Sequence, residues 1–250
     1  MDAYDASTLT TVTLLASSMT PALCTWLTYR QSGVSQRRTL AVTALMLAWT
    51  AMMVPAVVLG WTTDLGVSRG DLSLVTLVVP VAIAVALSGW ATVERLSQRW
   101  LVGLQLFRAI GFVFLVEMER GHVAPVFAYP AGIGDIMVAT AAATVLIGTW
   151  RLDRIPTAAL WFVAILGIAD FVSAFFFGYT SSLGTLQVFT PDPPNQLYAY
   201  PTGLIPFFLV PFATSFHVLS IRQLLRDRAD DVVSDAGASA ARVARTSHAA

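Results

Sequence analysis

Seven long apolar runs, separated by short polar stretches, organise this chain: residues 7–29, 39–61, 72–92, 100–116, 131–150, 156–178 and 203–221. A helix that crosses a bilayer needs about 20 mostly apolar residues. The pattern therefore predicts an all-α polytopic membrane protein, a bundle of about seven transmembrane helices. The fourth run is the shortest and contains Arg108. If it does not cross, every later segment inverts.

Arginine placement bears on that question. Arg30, Arg37 and Arg38 lie in the first connection, Arg95 and Arg99 in the third, and Arg151 and Arg154 in the fifth. Arg222, Arg226 and Arg228 follow the last run. The intervening connections are poorer. The second has Arg69 beside Asp64 and Asp71, the fourth has Arg120 beside Glu117 and Glu119, and the sixth has none. Enrichment on alternate sides is what the positive-inside rule demands. It supports counting the fourth run, with the N-terminus outside and the C-terminus cytoplasmic. Residues 1–228 then form the transmembrane domain. Residues 229–250, rich in Asp, Ala, Ser and Arg, read as a disordered cytoplasmic tail.

Composition agrees. Of 250 residues, 56% are hydrophobic and 12% charged, with mean hydropathy +0.69. A soluble domain carries about 25% charged residues. The formal net charge is +0, so nucleic-acid binding has no electrostatic support. The single cysteine, Cys24, excludes an intrachain disulfide and a cysteine zinc cluster. His122 and His248 lie outside the apolar runs, which leaves His217 alone inside them and excludes paired axial haem ligands there. No cofactor and no metal site is expected. The acidic start Met1-Asp2-Ala3-Tyr4-Asp5 is unlike the basic region of a signal peptide, so the first run is expected to be retained. The expected partners are the lipid bilayer and a small-molecule or ion substrate. The expected location is the cell membrane, as a multi-pass protein.

Polar groups inside the runs are the candidate chemistry, because an ionisable side chain at a helix centre costs a few kcal/mol and needs a partner or a cavity. Arg108 shares a helical face with Gln105 and Gly111, Asp170 with Gly167 and Ser173, and His217 with Thr214 and Ser220. Such stripes should face the bundle interior. At about 1.5 Å per residue, Asp135 and Asp170 fall in the outer half, and Arg108 and His217 in the inner half. Glu117 lies near the outer edge. Arg108 is expected to be compensated by Asp135 or Asp170, since a guanidinium does not neutralise itself by losing a proton.

Two further stretches stand out. Phe127-Ala128-Tyr129-Pro130-Ala131-Gly132-Ile133-Gly134-Asp135 leads into the fifth run. Pro130 suits a helix start. Asp135 then reads either as a first-turn anion favoured by the helix dipole or as a functional carboxylate. The sixth connection, residues 179–202, is long, proline-rich and aromatic, with Asn195 at the end of Asp192-Pro193-Pro194-Asn195. It is expected to fold over the outer mouth of the bundle. Pro206 and Pro211 should kink the last helix.

Several families share parts of this pattern. Seven spans with the N-terminus outside match retinal proteins, but a retinal Schiff base needs a lysine and every basic residue here is arginine. The Pro-Gln signature of SWEET and PQ-loop carriers is missing. Gly132-Ile133-Gly134-Asp135 resembles the Gly-x-Gly-Asp motif of intramembrane aspartyl proteases. That likeness implies Asp170, on the next span, as the partner, and Pro21-Ala22-Leu23 resembles the same family's Pro-Ala-Leu element. The order of the elements differs, and no tyrosine precedes Asp170. The chain also resembles a group of uncharacterised bacterial integral membrane proteins over roughly its second half. Four strings carry the likeness: Arg108-x-x-Gly111-x-x-Phe114-Leu115, Phe127-Ala128-x-Pro130-Ala131-Gly132-x-Gly134-Asp135, Asp192-Pro193-Pro194-Asn195, and Ile205-Pro206-x-Phe208-x-Val210-Pro211 followed by His217. It implies no activity.

Arg108, Glu117, Asp135, Asp170, Asn195 and His217 are the candidate substrate or proton-site residues. The leading reading is small-molecule or ion transport, or proton-coupled sensing. One alternative is a membrane-embedded aspartyl-type hydrolase with Asp135 and Asp170 as catalytic candidates. Another is a non-catalytic scaffold or partner subunit. The reading favours a protein that is not an enzyme.

Overall fold

The computed structural model describes residues 5–64, 96–183, 186–192 and 195–247, with the side chains of 230–247 left aside, and four isolated helical positions between 65 and 95. The third predicted span, 72–92, lies outside the described residues. Among the described residues the chain is all-helical. Helix α1 is Thr8–Gln31, α2 is Gln36–Val58 and α3 is the single turn Trp61–Asp64. Then come α4 (Gln98–Glu119), α5 (Pro125–Gly148) and α6 (Thr157–Ser181). Helix α7 is Val210–Ser247, entered through a π-helical turn at Ile205–Leu209.

Five of these helices are long and apolar enough to cross a membrane: α2, α4, α5, α6 and the first part of α7. Helix α1 has the length but is rich in Thr and Ser. The surface agrees with a lipid solvent. Met137, Phe162, Ile165, Val172 and Phe176 point outward and are more than half exposed, while Arg108, Glu117 and His217 are buried. A protein in water would reverse that arrangement. The chain is therefore a helical membrane protein.

Local physics accounts for three irregularities. Residues Leu104–Gly111 of α4 are 3-10 helix. With three residues per turn, side chains at i and i+3 eclipse. Gln105, Arg108 and Gly111 therefore line up along one buried edge. The steeper rise of 3-10 helix also lengthens α4 to about 37 Å, enough for a hydrocarbon core of about 30 Å. The π turn in front of α7 falls where Pro206 and Pro211 withhold two backbone N–H groups, at the place where those prolines are expected to disturb the helix. Helix α7 also continues to Ser247, so the segment expected as a disordered tail is helical backbone over residues 230–247. Its alanine content favours helix.

One expectation is corrected. Helix α5 begins at Pro125, with Ala124 as its N-cap, and Pro130 lies inside the helix. Pro125 fills the first-turn role expected of Pro130. Asp135 is thus ten residues in, about 15 Å from the helix start, and is not a first-turn capping residue.

Hydrogen bonds sort the connections into two groups. At one end, Glu117 of α4 accepts from the Ser7 backbone N–H at 3.0 Å, and Gln196 N–H of the α6–α7 connection donates to the His122 carbonyl at 3.0 Å. The Thr62 hydroxyl donates to the Tyr198 carbonyl there. At the other end, Ser97 N–H donates to the Ser32 hydroxyl, Arg99 donates to the carbonyls of Thr149 and Leu152, and the Ser220 hydroxyl donates to Gln98. The arginine-poor connections meet at the first end and the arginine-rich ones at the second. The α6–α7 connection is docked, not loose. Leu197 and Tyr198 are buried in the largest apolar cluster with Phe114, Phe127 and Phe207.

Candidate functional site

Arg108 is the centre of the site, and it is 1% exposed. Its Nε donates to Asp135 Oδ1 on α5 at 2.7 Å. Its Nη2 pairs with Asp170 Oδ2 on α6. Its Nη1 donates to the Gly167 carbonyl on α6 at 3.3 Å and lies 3.3 Å from His217 Nε2 on α7. A guanidinium only donates. Nε2 is therefore the acceptor, and the imidazole is neutral with its proton on Nδ1. The guanidinium carbon also sits 3.8 Å above the centre of the Phe171 ring, a cation–π contact, and Phe171 meets His217 edge-on at 5.8 Å. One side chain thus ties α4 to α5, α6 and α7.

Three glycines make this approach feasible. A Cβ on Gly111 of α4 would collide with Asp135 of α5, with Asp135 Oδ2 2.9 Å away. A Cβ on Gly134 of α5 would collide with the Asp170 carboxylate of α6. A Cβ on Gly167 of α6 would collide with the His217 ring of α7 and reach Arg108 Nη1 at 3.1 Å. Each helix offers a bare backbone surface to the polar side chain of the next. This is the small-residue packing that lets helices approach closely in membranes. Gly132 contributes too, because its Cβ would stand 3.0 Å from the Gly111 carbonyl.

The charges do not balance. With both carboxylates ionised, Arg108 neutralises one of them and the centre carries one negative charge. Asp170 Oδ1 is buried and has no hydrogen-bond partner among the described residues. On one side of the centre lies a small, mostly apolar cavity, lined by Phe114, Phe127, Phe175 and Tyr198 with Asp135 and Asp170. On the other side a smaller cavity is lined by Gln105, His217 and Ser220. Gln105 Oε1 there is buried without a partner among the described residues.

Four of the six sequence candidates, Arg108, Asp135, Asp170 and His217, converge in this way. Arg108 pairs with both aspartates where one was expected. Glu117 and Asn195 stand apart, at the end where the α6–α7 connection docks. Glu117 accepts from His122 Nδ1 at 2.8 Å as well as from Ser7, and so fastens the start of α1 to the α4–α5 turn. Asn195 Nδ2 donates to the Ser181 hydroxyl at 3.0 Å and fastens the α6–α7 connection to the end of α6. Sequence reasoning missed Phe171 and the Gly167 carbonyl. Phe171 directly follows Asp170, but a phenylalanine in an apolar run carries no distinguishing signal.

Fold and site together define a class: a helical membrane protein with a buried Arg–Asp–Asp–His centre shared by four helices. More particularly, the chain belongs to the family described as a domain of unknown function (DUF8737), which matches residues 70–225. No curated protein and no solved structure matches it. All four strings behind the resemblance to uncharacterised membrane proteins fall within the matched residues. The match lends nothing to the aspartyl-protease likeness.

Proposed function

We propose that the protein moves a proton or small solute through the Arg108–Asp135–Asp170–His217 centre, as a transporter or a proton-coupled sensor. The observation that carries this reading is the shared arginine. One guanidinium serves two carboxylates beside a cavity, so with both ionised the centre holds one negative charge that it does not pair internally. Stability does not call for such an arrangement, since replacing a buried ion cluster by apolar groups is often neutral or stabilising. Intramembrane ionisable groups of this kind mark ion and proton paths. Polar groups also continue beyond His217, through Gln105 and Ser220 to Gln98. The bridge weighs against the hydrolase reading. A hydrolytic dyad turns its carboxyls on water, whereas here Arg108 holds an oxygen of each.

Reconstitution in liposomes tests the proposal. Internal pH should respond to an imposed gradient, and Asp135→Asn or Asp170→Asn should abolish the response. Cleavage of single-span peptides that is lost in either variant, with no proton movement, would overturn it.

The reading includes seven spans, with the N-terminus and the α6–α7 connection outside. The arginine-poor and arginine-rich ends support it. The chain also leaves α3 at one end and enters α4 at the other, which supports an odd number of crossings between them. Reporter fusions after Ser35 and Arg226 should register cytoplasm, and one at Gln196 the outside. A cytoplasmic signal at Gln196 would overturn the orientation.

A further inference from the structure

At the arginine-rich end, between the starts of α4 and α6 and the middle of α7, lies a cavity of about 680 Å³ that shares no residue with the Arg108 centre. Five charged side chains line it: Arg99, Arg154 and Arg228 with Asp153 and Asp227. Three arginines against two aspartates leave one positive charge. Arg154, Arg228, Asp153 and Asp227 are exposed, and none has an ion pair or side-chain hydrogen bond among the described residues. Arg99 engages only its Nη2, on the carbonyls of Thr149 and Leu152. Charges of both signs thus surround a hollow without satisfying one another. The remaining wall is apolar. Leu160 and Leu224 belong to a buried cluster, and Trp161 packs against it. Trp161 is four residues into α6, about 6 Å from its start, a depth at which a membrane interface holds tryptophan. A hollow that is charged on one side and apolar on the other, at headgroup level, suits an amphiphile. A soluble anion would gain little from the apolar half.

We propose that this cavity seats the headgroup of an anionic phospholipid, with its phosphodiester against Arg154 and Arg228 and its first acyl carbons along Trp161 and Leu160. Basic pockets between transmembrane helices hold anionic headgroups in this way. A phosphodiester carries one negative charge and so balances the one positive charge of the lining. The two aspartates accept from headgroup hydroxyls and repel a second negative charge, which favours a phosphoglycerol headgroup over a phosphomonoester. Other arginines at the same end do not line the hollow. Arg37, at the start of α2, is exposed and lies outside it. The site is therefore more than the general excess of positive charge on that side of the membrane. It is also independent of what moves through the Arg108 centre.

The probe is dioleoyl phosphatidylglycerol, titrated into the full-length protein in an uncharged detergent and counted by native mass spectrometry. One lipid should bind saturably, and dioleoyl phosphatidylcholine, with the same chains and no net charge, should bind more weakly by about fivefold or more. Arg154→Gln and Arg228→Gln should each weaken phosphatidylglycerol by about fivefold, and the double change by about 25-fold. Arg37→Gln should leave it unchanged. All three positions are exposed, so the variants should fold, and gel filtration checks that they do. If a cavity variant does not fold, the native chain still decides. Its affinity should drop as ammonium acetate rises from about 0.1 to 1 M, because screening shortens the reach of the arginines from about 10 Å to 3 Å. Glycerophosphoglycerol, the same headgroup without chains, should not displace the lipid even in large excess. Displacement would show that the cavity takes a soluble phosphodiester, and would overturn the proposal. Equal retention of phosphatidylcholine, an unaffected double variant, or a loss at Arg37→Gln as large as at Arg154→Gln would overturn it too. Proton flux in liposomes has no bearing on any of these outcomes, so the proposal and the transport reading fail separately.

Discussion

Arg108→Leu should lower stability by about 3–5 kcal/mol, the usual cost of removing one partner from a buried ion pair. The loss comes less from missing attraction than from what stays behind. Asp135 and Asp170 would be held among apolar side chains without the guanidinium, and the Gly167 carbonyl would lose its donor. The rescue pattern is more telling than the loss. Because one arginine serves both carboxylates, Arg108→Leu combined with a single Asp→Asn change still leaves one orphaned charge and should recover only part of the stability. Arg108→Leu with both Asp135→Asn and Asp170→Asn should recover most of it, since the cluster then carries no charge to strand. Thermal unfolding of the purified variants in one detergent measures this. Equal damage from the single and triple changes would show that the guanidinium acts through packing on Phe171 instead.

A comparably large effect is expected at a residue with no side chain. Gly134→Ala would place a methyl group where the Asp170 carboxylate lies. Backbone stands behind the methyl and Arg108 behind the carboxylate, so α5 and α6 must separate or Asp170 must leave its partner. Overpacking of this kind costs about 1–3 kcal/mol, and the broken ion pair adds to it. Gly148→Ala is the control. It lies at the end of the same helix, and an added Cβ meets nothing within 4 Å. That change should be neutral or stabilising by up to about 1 kcal/mol, as alanine is the better helix former. Similar unfolding temperatures for the two variants would show that α5 and α6 are not locked through this contact.

The two glycines look alike in sequence, which illustrates what is legible there. Hydropathy and arginine placement suffice for a helical membrane protein and for the sorting of its connections, because both follow from the solvent on each side of a helix. Polar residues in apolar runs suffice to single out Arg108, Asp135, Asp170 and His217, because such residues are too costly to lie against lipid. What stays hidden is relational. Pro130 reads as a helix start, yet Pro125 five residues earlier takes that place, and this alone moves Asp135 from the first turn to mid-helix. The 3-10 stretch of α4 that aligns Gln105, Arg108 and Gly111 has no proline or glycine run to announce it. Glu117 and Asn195 pass the same test as Arg108, being polar beside apolar runs, but their partners are Ser7, His122 and Ser181.

Arg108 precedes all of its partners in the chain. A ribosome that makes this protein delivers the guanidinium first, Asp135 27 residues later, Asp170 62 residues later and His217 109 residues later. Inserted alone, α4 carries a penalty of about 2.5–3.5 kcal/mol for a central arginine. The smallest unit that enters hydrocarbon with that charge matched is the α4–α5 hairpin. Insertion in pairs, with α4 waiting for α5 at the translocation channel, is thus written into the order of the residues. A nascent chain stopped just after α4 should partition into lipid less readily than one stopped after α5.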